Sequence, residues 1–121
     1  MHYDKAISID SSYTAGYTNR GILYVKEKLL DLALKDFNKA IVLDSALPEA
    51  YLNRAILYTI YGGNDMMEKA IKDLNQGIKL KPKFSAAYHF LAIAYGAEGN
   101  HAEAQRDKEI EKEMAKEDGK K

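Results

Sequence analysis

The sequence predicts an all-α protein in which similar helix-turn-helix units are stacked, and three observations support this prediction. The stretch YTNRGILY at 17–24 returns as YLNRAILY at 51–58, with six of eight residues identical after 34 positions. Residues that pack recur at the three- and four-residue spacing of one helical face. Glycine or alanine recurs at matching points of each unit. Repetition at a fixed spacing indicates a structural unit that stacks on its neighbours.

Each unit contains two helical patterns. The first is spaced i, i+3, i+4, i+7 and consists of Tyr17, Arg20, Gly21, Tyr24; Tyr51, Arg54, Ala55, Tyr58; and Tyr88, Leu91, Ala92, Tyr95. The second consists of Ala33, Phe37, Ala40, Ile41 and of Ala70, Leu74, Gly77, Ile78. Two helices pack about 8–10 Å apart, and small residues permit the shorter distance. The glycines and alanines therefore predict the contacts within each helix pair.

The repetition divides the chain into a partial unit at 1–13 and full units at 14–47, 48–84 and 85–121. The middle unit is three residues longer than the first, and the loop-forming Gly62-Gly63-Asn64 predicts where the insertion lies. Residues 1–13 are expected to be the second half of a helix pair. The chain is therefore expected to begin inside a longer array.

Four residues predict where individual helices begin and end. Pro48 is expected at a first helical position, and Pro82 just after a helix has ended. Asp65 and Asn100, each followed three residues later by glutamate, are predicted helix N-caps.

Composition excludes several classes of function. The 121 residues contain 18 basic and 18 acidic side chains and no cysteine. No net charge favours nucleic acid or an anionic membrane surface, and the apolar runs are too short to span a bilayer. The first residues lack the basic flank and apolar stretch of a signal peptide, which favours a cytoplasmic location.

The recurring residues resemble the tetratricopeptide repeat, a 34-residue helix pair with small and aromatic residues at these positions. The resemblance covers essentially the whole chain. It implies a right-handed superhelix whose concave face is lined by the first helix of each pair. It also implies a non-catalytic module that binds a protein or peptide partner, without nucleic acid or membrane.

Two arginines depart from the family pattern. Arg20 and Arg54 occupy a position that is usually apolar and faces the second helix of the pair, and each unit also carries an aspartate, Asp36 or Asp73. An unpaired charge costs several kcal/mol to bury. The sequence therefore predicts the ion pairs Arg20–Asp36 and Arg54–Asp73. The alternative is that both arginines reach solvent without a fixed partner.

The third unit departs further from the pattern. Leu91 replaces the arginine, which leaves Asp107 without this partner. Lys108 stands where an aromatic residue is expected and Glu111 where alanine is expected. The last helix is therefore predicted to be a polar cap, since terminal repeats need a solvated outer face.

The resemblance places several apolar and amide side chains in the concave groove. The helix-pairing pattern does not require the apolar residues there, so they form a candidate interaction strip, while asparagine suits the backbone of a bound peptide. The candidate groove residues are Asn19, Ile22, Leu52, Asn53, Ile56, His89, Phe90 and Ile93. The alternative is a narrow strip filled by neighbouring side chains.

One subclass of the family holds the C-terminal carboxylate of heat-shock chaperones through lysine, arginine and asparagine side chains. The corresponding positions here are Thr18, Ile22, Asn53, Ala86 and Phe90. Asn53 alone matches. Without the cations, the carboxylate has no charge-assisted donors.

The sequence favours no enzyme, metal or cofactor. His2, His89 and His101 lie in three different units without the spacing of metal ligands. The chain has no cysteine nucleophile, and Gly62-Gly63 is better explained as a widened turn than as a phosphate-binding loop.

A second function remains open, in which the chain is a structural segment of a longer array. Tyr3, Ile7 and Ile9 form an uncovered apolar face that would stack on missing repeats or on a second copy. In that case the isolated chain would be a dimer, and Ile7→Lys would make it monomeric.

Overall fold

The computed structural model describes residues 14–119. The partial unit at 1–13, with the proposed self-association face at Tyr3, Ile7 and Ile9, lies outside the described residues. Within residues 14–119 the chain is almost entirely helical and contains no strand.

The described chain forms six α-helices in three successive pairs. Their bounds are α1 Thr14–Lys26, α2 Leu30–Leu43, α3 Pro48–Tyr61, α4 Met67–Leu80, α5 Ser85–Ala97 and α6 His101–Gly119, with a 3-10 turn at Asn64–Met66 before α4. Each odd helix packs on the even helix that follows it, and each pair packs on the next through α2–α3 and α4–α5. The first helices also contact one another, α1 with α3 and α3 with α5. The predicted all-α stack is confirmed.

Small residues mark the contacts within the pairs, as the repetition predicts. Ala33, Ala55 and Ala70 are fully buried. In the first pair Gly21 lies against the ring of Phe37, so closely that a Cβ atom there would be 2.6 Å from the ring. The absence of a side chain at Gly21 therefore leaves room for a large aromatic residue.

The core is shared between pairs. Leu57 of α3 packs with Phe37 of the first pair, and Tyr17 of α1 clusters with Ala50 of α3. A further cluster joins α3, α4 and α5, with Phe84 just before α5. No described pair encloses a core of its own, so each depends on its neighbour for stability.

The predicted helix ends are confirmed except at one position. Pro48 is the first residue of α3, and α4 ends at Leu80, two residues before Pro82. The side chain of Asn100 accepts a hydrogen bond from the Glu103 backbone N–H at 3.4 Å. The cap prediction for Asp65 is wrong, because Asp65 lies inside the 3-10 turn and α4 begins without a side-chain cap.

Candidate functional site

Both predicted arginine–aspartate pairs are present, and each is bidentate. Arg20 donates from Nε and Nη2 to the two carboxylate oxygens of Asp36, both at 2.8 Å. Arg54 donates in the same way to Asp73, from Nε at 2.8 Å and from Nη2 at 2.6 Å. Both aspartates are buried. The pairs join the two helices of their units.

The guanidinium groups have further contacts. Arg20 lies over the rings of Tyr17 and Tyr24, 5.7 and 5.6 Å from their centres, within the range of a cation–π contact. Hydrogen bonding to Asp73 raises the pKa of Arg54 above its usual value, against the effect of burial. The arginines in the repeated stretch therefore have a structural role.

Three isoleucines occupy the same position of successive first helices. Ile22 lies on α1, Ile56 on α3 and Ile93 on α5. Ile22 is 36% exposed, Ile93 is 44% exposed and Ile56 is half-buried. Since α1 contacts α3 and α3 contacts α5, the three residues occupy equivalent positions on neighbouring first helices. We call these three residues the isoleucine strip.

The other candidate groove residues differ in their surroundings. Leu52 and Phe90 are half-buried and pack against the core cluster of α3, α4 and α5. Asn19 is exposed and Asn53 is half-buried. The alternative of a partly filled groove therefore describes Leu52 and Phe90, whereas Asn19, Ile22 and Ile93 are more accessible.

His89 is exposed beside Phe90 and has a partner that sequence reasoning did not assign. Its Nδ1 atom lies 3.1 Å from Oε2 of Glu111 on α6. The rings of His89 and Phe90 lie almost perpendicular to each other, with the ring centres 5.2 Å apart. Glu111 could have been suspected only from its departure from the alanine of the family pattern.

Comparison with known families decides the classification. The sequence profile of the tetratricopeptide repeat matches residues 15–46 and 48–84. These ranges cover more than half of the chain. The chain is a tetratricopeptide-repeat protein. It therefore has the architecture of a protein–protein interaction module, and no curated protein matches its sequence.

Solved structures share the fold of this tetratricopeptide-repeat protein. A MamA crystal structure matches with a TM-score of 0.84 at 24% identity, covering 98% of this chain and 63% of MamA. A MamA RS-1 double mutant matches with a TM-score of 0.83 at 19% identity, covering 96% of this chain and 64% of that chain. The present chain thus spans less than two thirds of these relatives.

A third structure is that of a complex. The first tetratricopeptide-repeat domain of Spaghetti (RPAP3), bound to the HSP90 peptide SRMEEVD, has a TM-score of 0.80 and 26% identity. The match covers 87% of this chain and 81% of that domain.

Further exposed apolar side chains lie near the ends of helices in this tetratricopeptide-repeat protein. Leu29 precedes α2, Leu32 lies in the first turn of α2, and Ile60 and Tyr61 end α3. All four are exposed.

The described residues of the tetratricopeptide-repeat protein hold no group of three histidine or acidic side chains placed to bind a metal ion. None of the helices in the described range has the length and apolar character needed to cross a bilayer.

Proposed function

We propose that this protein binds an extended peptide segment of a partner protein in the concave groove formed by α1, α3 and α5. The isoleucine strip is the observation that carries the proposal. Ile22 and Ile93 expose 36% and 44% of their surface at equivalent positions of two different helices. Aligned exposed aliphatic side chains are typical of an interaction site. Burying them against a ligand would stabilise the complex by about 25 cal/mol per Å² of apolar surface.

The spacing of the strip indicates the pattern of its ligand. Neighbouring helices lie about 8–10 Å apart. A polyproline II segment advances about 3.1 Å per residue with three residues per turn, so every third side chain faces the same way after about 9 Å. We therefore propose a partner segment with an aliphatic residue at every third position. Asn19, which is exposed on α1, is able to form hydrogen bonds with the ligand backbone.

A peptide array tests this spacing directly. Peptides of equal length and leucine content would carry leucine at every second, third, fourth or seventh position, and fluorescence polarisation would measure their affinities. We expect the three-residue spacing to bind most tightly. Preference for the seven-residue spacing would replace the extended ligand with a helix, which advances about 10.5 Å over seven residues. Equal, weak binding of every spacing would contradict the proposal.

Charge introduced into the strip should weaken binding without unfolding the protein. We expect Ile22→Lys and Ile93→Lys each to weaken binding of the best array peptide by about 5- to 30-fold, because each removes roughly 1–2 kcal/mol of apolar contact. Polarisation titration measures the loss, and circular dichroism checks the helix content.

Val42→Lys is the matched control, since Val42 is 76% exposed on the second helix α2. It makes a similar aliphatic-to-lysine change on a second helix instead of a first helix. We expect no change in affinity. If Val42→Lys weakened binding as much as Ile22→Lys, the ligand would not lie in the groove.

The acidic peptide SRMEEVD should not bind in the same way as it does to the Spaghetti domain. The subclass that holds the chaperone carboxylate needs cations at three positions. These positions are occupied here by Thr18, Ala86 and Phe90. Without charged donors, the ligand carboxylates would have to be desolvated uncompensated. Isothermal titration should show no saturable binding under conditions where the Spaghetti domain binds. Saturable binding lost in Asn53→Ala would contradict this expectation.

A further inference from the structure

The third helix pair retains the aspartate of the other two pairs but lacks its arginine. Asp36 and Asp73 each accept two hydrogen bonds from an arginine. Asp107 occupies the equivalent place on α6, whereas α5 presents Leu91. The side chain of Asp107 is 0% exposed, and neither carboxylate oxygen accepts a hydrogen bond. Within the described residues, the two carboxylate oxygens of Asp107 are the buried side-chain polar atoms that have no hydrogen-bond partner.

The charged neighbours of Asp107 on its own helix do not compensate for burial. Nη2 of Arg106 lies 3.8 Å from Asp107 Oδ1, which exceeds hydrogen-bond distance. The same Nη2 atom lies 2.9 Å from an oxygen of Glu103, and the Arg106 side chain is largely exposed. The nearest cation is therefore shared with a second carboxylate.

The helix α5, which packs on α6, has no cation at the position equivalent to Arg20 and Arg54. Leu91 is 2% exposed, and the titratable residues three before and four after it are Tyr88 and Tyr95, both half-buried. His89, the remaining titratable residue of α5, is exposed and contacts Glu111. A buried carboxylate without a donor is much more costly than a neutral carboxyl group.

We propose that protonation of Asp107 controls how firmly α6 packs on α5. The helix α6 stays packed on α5 when Asp107 is protonated, and it separates more readily when Asp107 is ionised. The position of α6 allows this motion. Among the described elements α6 packs extensively on α5 alone, so its local release leaves the first two helix pairs in place.

The direction of the pH effect follows from burial. Burial raises the pKa of the Asp107 carboxyl, Arg106 partly opposes this rise, and Glu103 adds to it. The folded protein therefore holds this proton more tightly than the unfolded chain does. The resulting stabilisation is complete below the ordinary carboxyl pKa of about 4. It is lost as pH increases through the raised pKa.

Amide hydrogen exchange over pH 4–8 in the full chain tests whether the packing of α6 on α5 depends on pH. After correction for intrinsic exchange, we expect the opening constant of α6 to increase with pH relative to that of α4, about tenfold for each unit of pKa difference. Asp107→Asn should remove this increase, and α6 should exchange several-fold more slowly at pH 7 than in the wild type.

Two variants provide matched tests. Asp73→Asn makes the same change where an arginine is present, so it should accelerate exchange in α3 and α4. Leu91→Arg should supply the missing cation and reverse the pH dependence of exchange, so that α6 opens more as pH falls.

Identical pH dependence of α6 exchange in wild type and Asp107→Asn would overturn the proposal. Faster exchange of α6 in Asp107→Asn at pH 7 would also overturn it, since the ionised carboxylate would then be stabilising.

Discussion

Replacing Asp73 with asparagine is expected to lower the free energy of unfolding by about 3 kcal/mol. The substitution removes the charge that faces Arg54, whose side chain is only 22% exposed and remains cationic. Removing one partner of a buried ion pair costs more than the pair contributes, because the other charge stays desolvated. Urea unfolding followed by circular dichroism measures the change, and the melting temperature should fall by about 10 °C.

A double variant separates loss of the pair from loss of packing. In Arg54→Leu/Asp73→Leu both charges are removed together, and the leucine on α3 reproduces the residue that Leu91 provides on α5. We expect the double variant to recover most of the stability that Asp73→Asn loses, since well-packed apolar residues often replace a buried ion pair at little cost. Equal destabilisation of the single and double variants would show that uncompensated charge is not the cause.

Replacing Gly21 with alanine is expected to destabilise the protein by about 2 kcal/mol. The new Cβ atom would lie 2.6 Å from Cε1 and 2.8 Å from Cδ1 of Phe37. Phe37 is 1% exposed and packs with Ala33 and Leu57, so these neighbours would have to shift with the ring. Overpacking of about 3 kcal/mol should exceed the gain of about 1 kcal/mol from the higher helix propensity of alanine. Urea unfolding measures the net change.

The second helix pair supplies the compensating substitution. It combines Ala55 with Leu74 in one core cluster, where the first pair combines Gly21 with Phe37. We expect Phe37→Leu alone to destabilise the protein through a cavity. Combined with Gly21→Ala, it should instead raise stability above that of the Gly21→Ala variant. Simple addition of the two losses would contradict a direct contact between these positions.

The sequence predicted those features that the repetition or a charge requirement determines. The ion pairs could be predicted from the sequence because Arg20 and Arg54 occupy a position on the first helix that faces the second helix of the same pair. An unpaired charge at that position is unfavourable. Asn100 was predicted correctly as a cap, because the turn before α6 is short. At Asp65 the same local pattern was misleading, because the longer connection forms a 3-10 turn first.

The candidate groove was less predictable from sequence. Position in the repeat assigned Phe90 to the concave face, but could not show that it also packs against the core. The contact between His89 and Glu111 depends on how α5 and α6 are rotated against each other. The close approach of Gly21 to Phe37 likewise requires atomic distances, since a small residue indicates contact without identifying its neighbour.

The third donor atom of the Arg54 guanidinium, Nη1, links two successive helix pairs. This atom donates to Oδ1 of Asn38 at 2.9 Å, so the guanidinium on α3 also bonds α2 of the preceding pair. Leu91 has no donor with which to make the corresponding bond from α5. The junction between the first two pairs therefore combines a polar bond with apolar packing. The junction between the second and third pairs depends instead on the apolar cluster of α3, α4 and α5, in which Leu91 takes part.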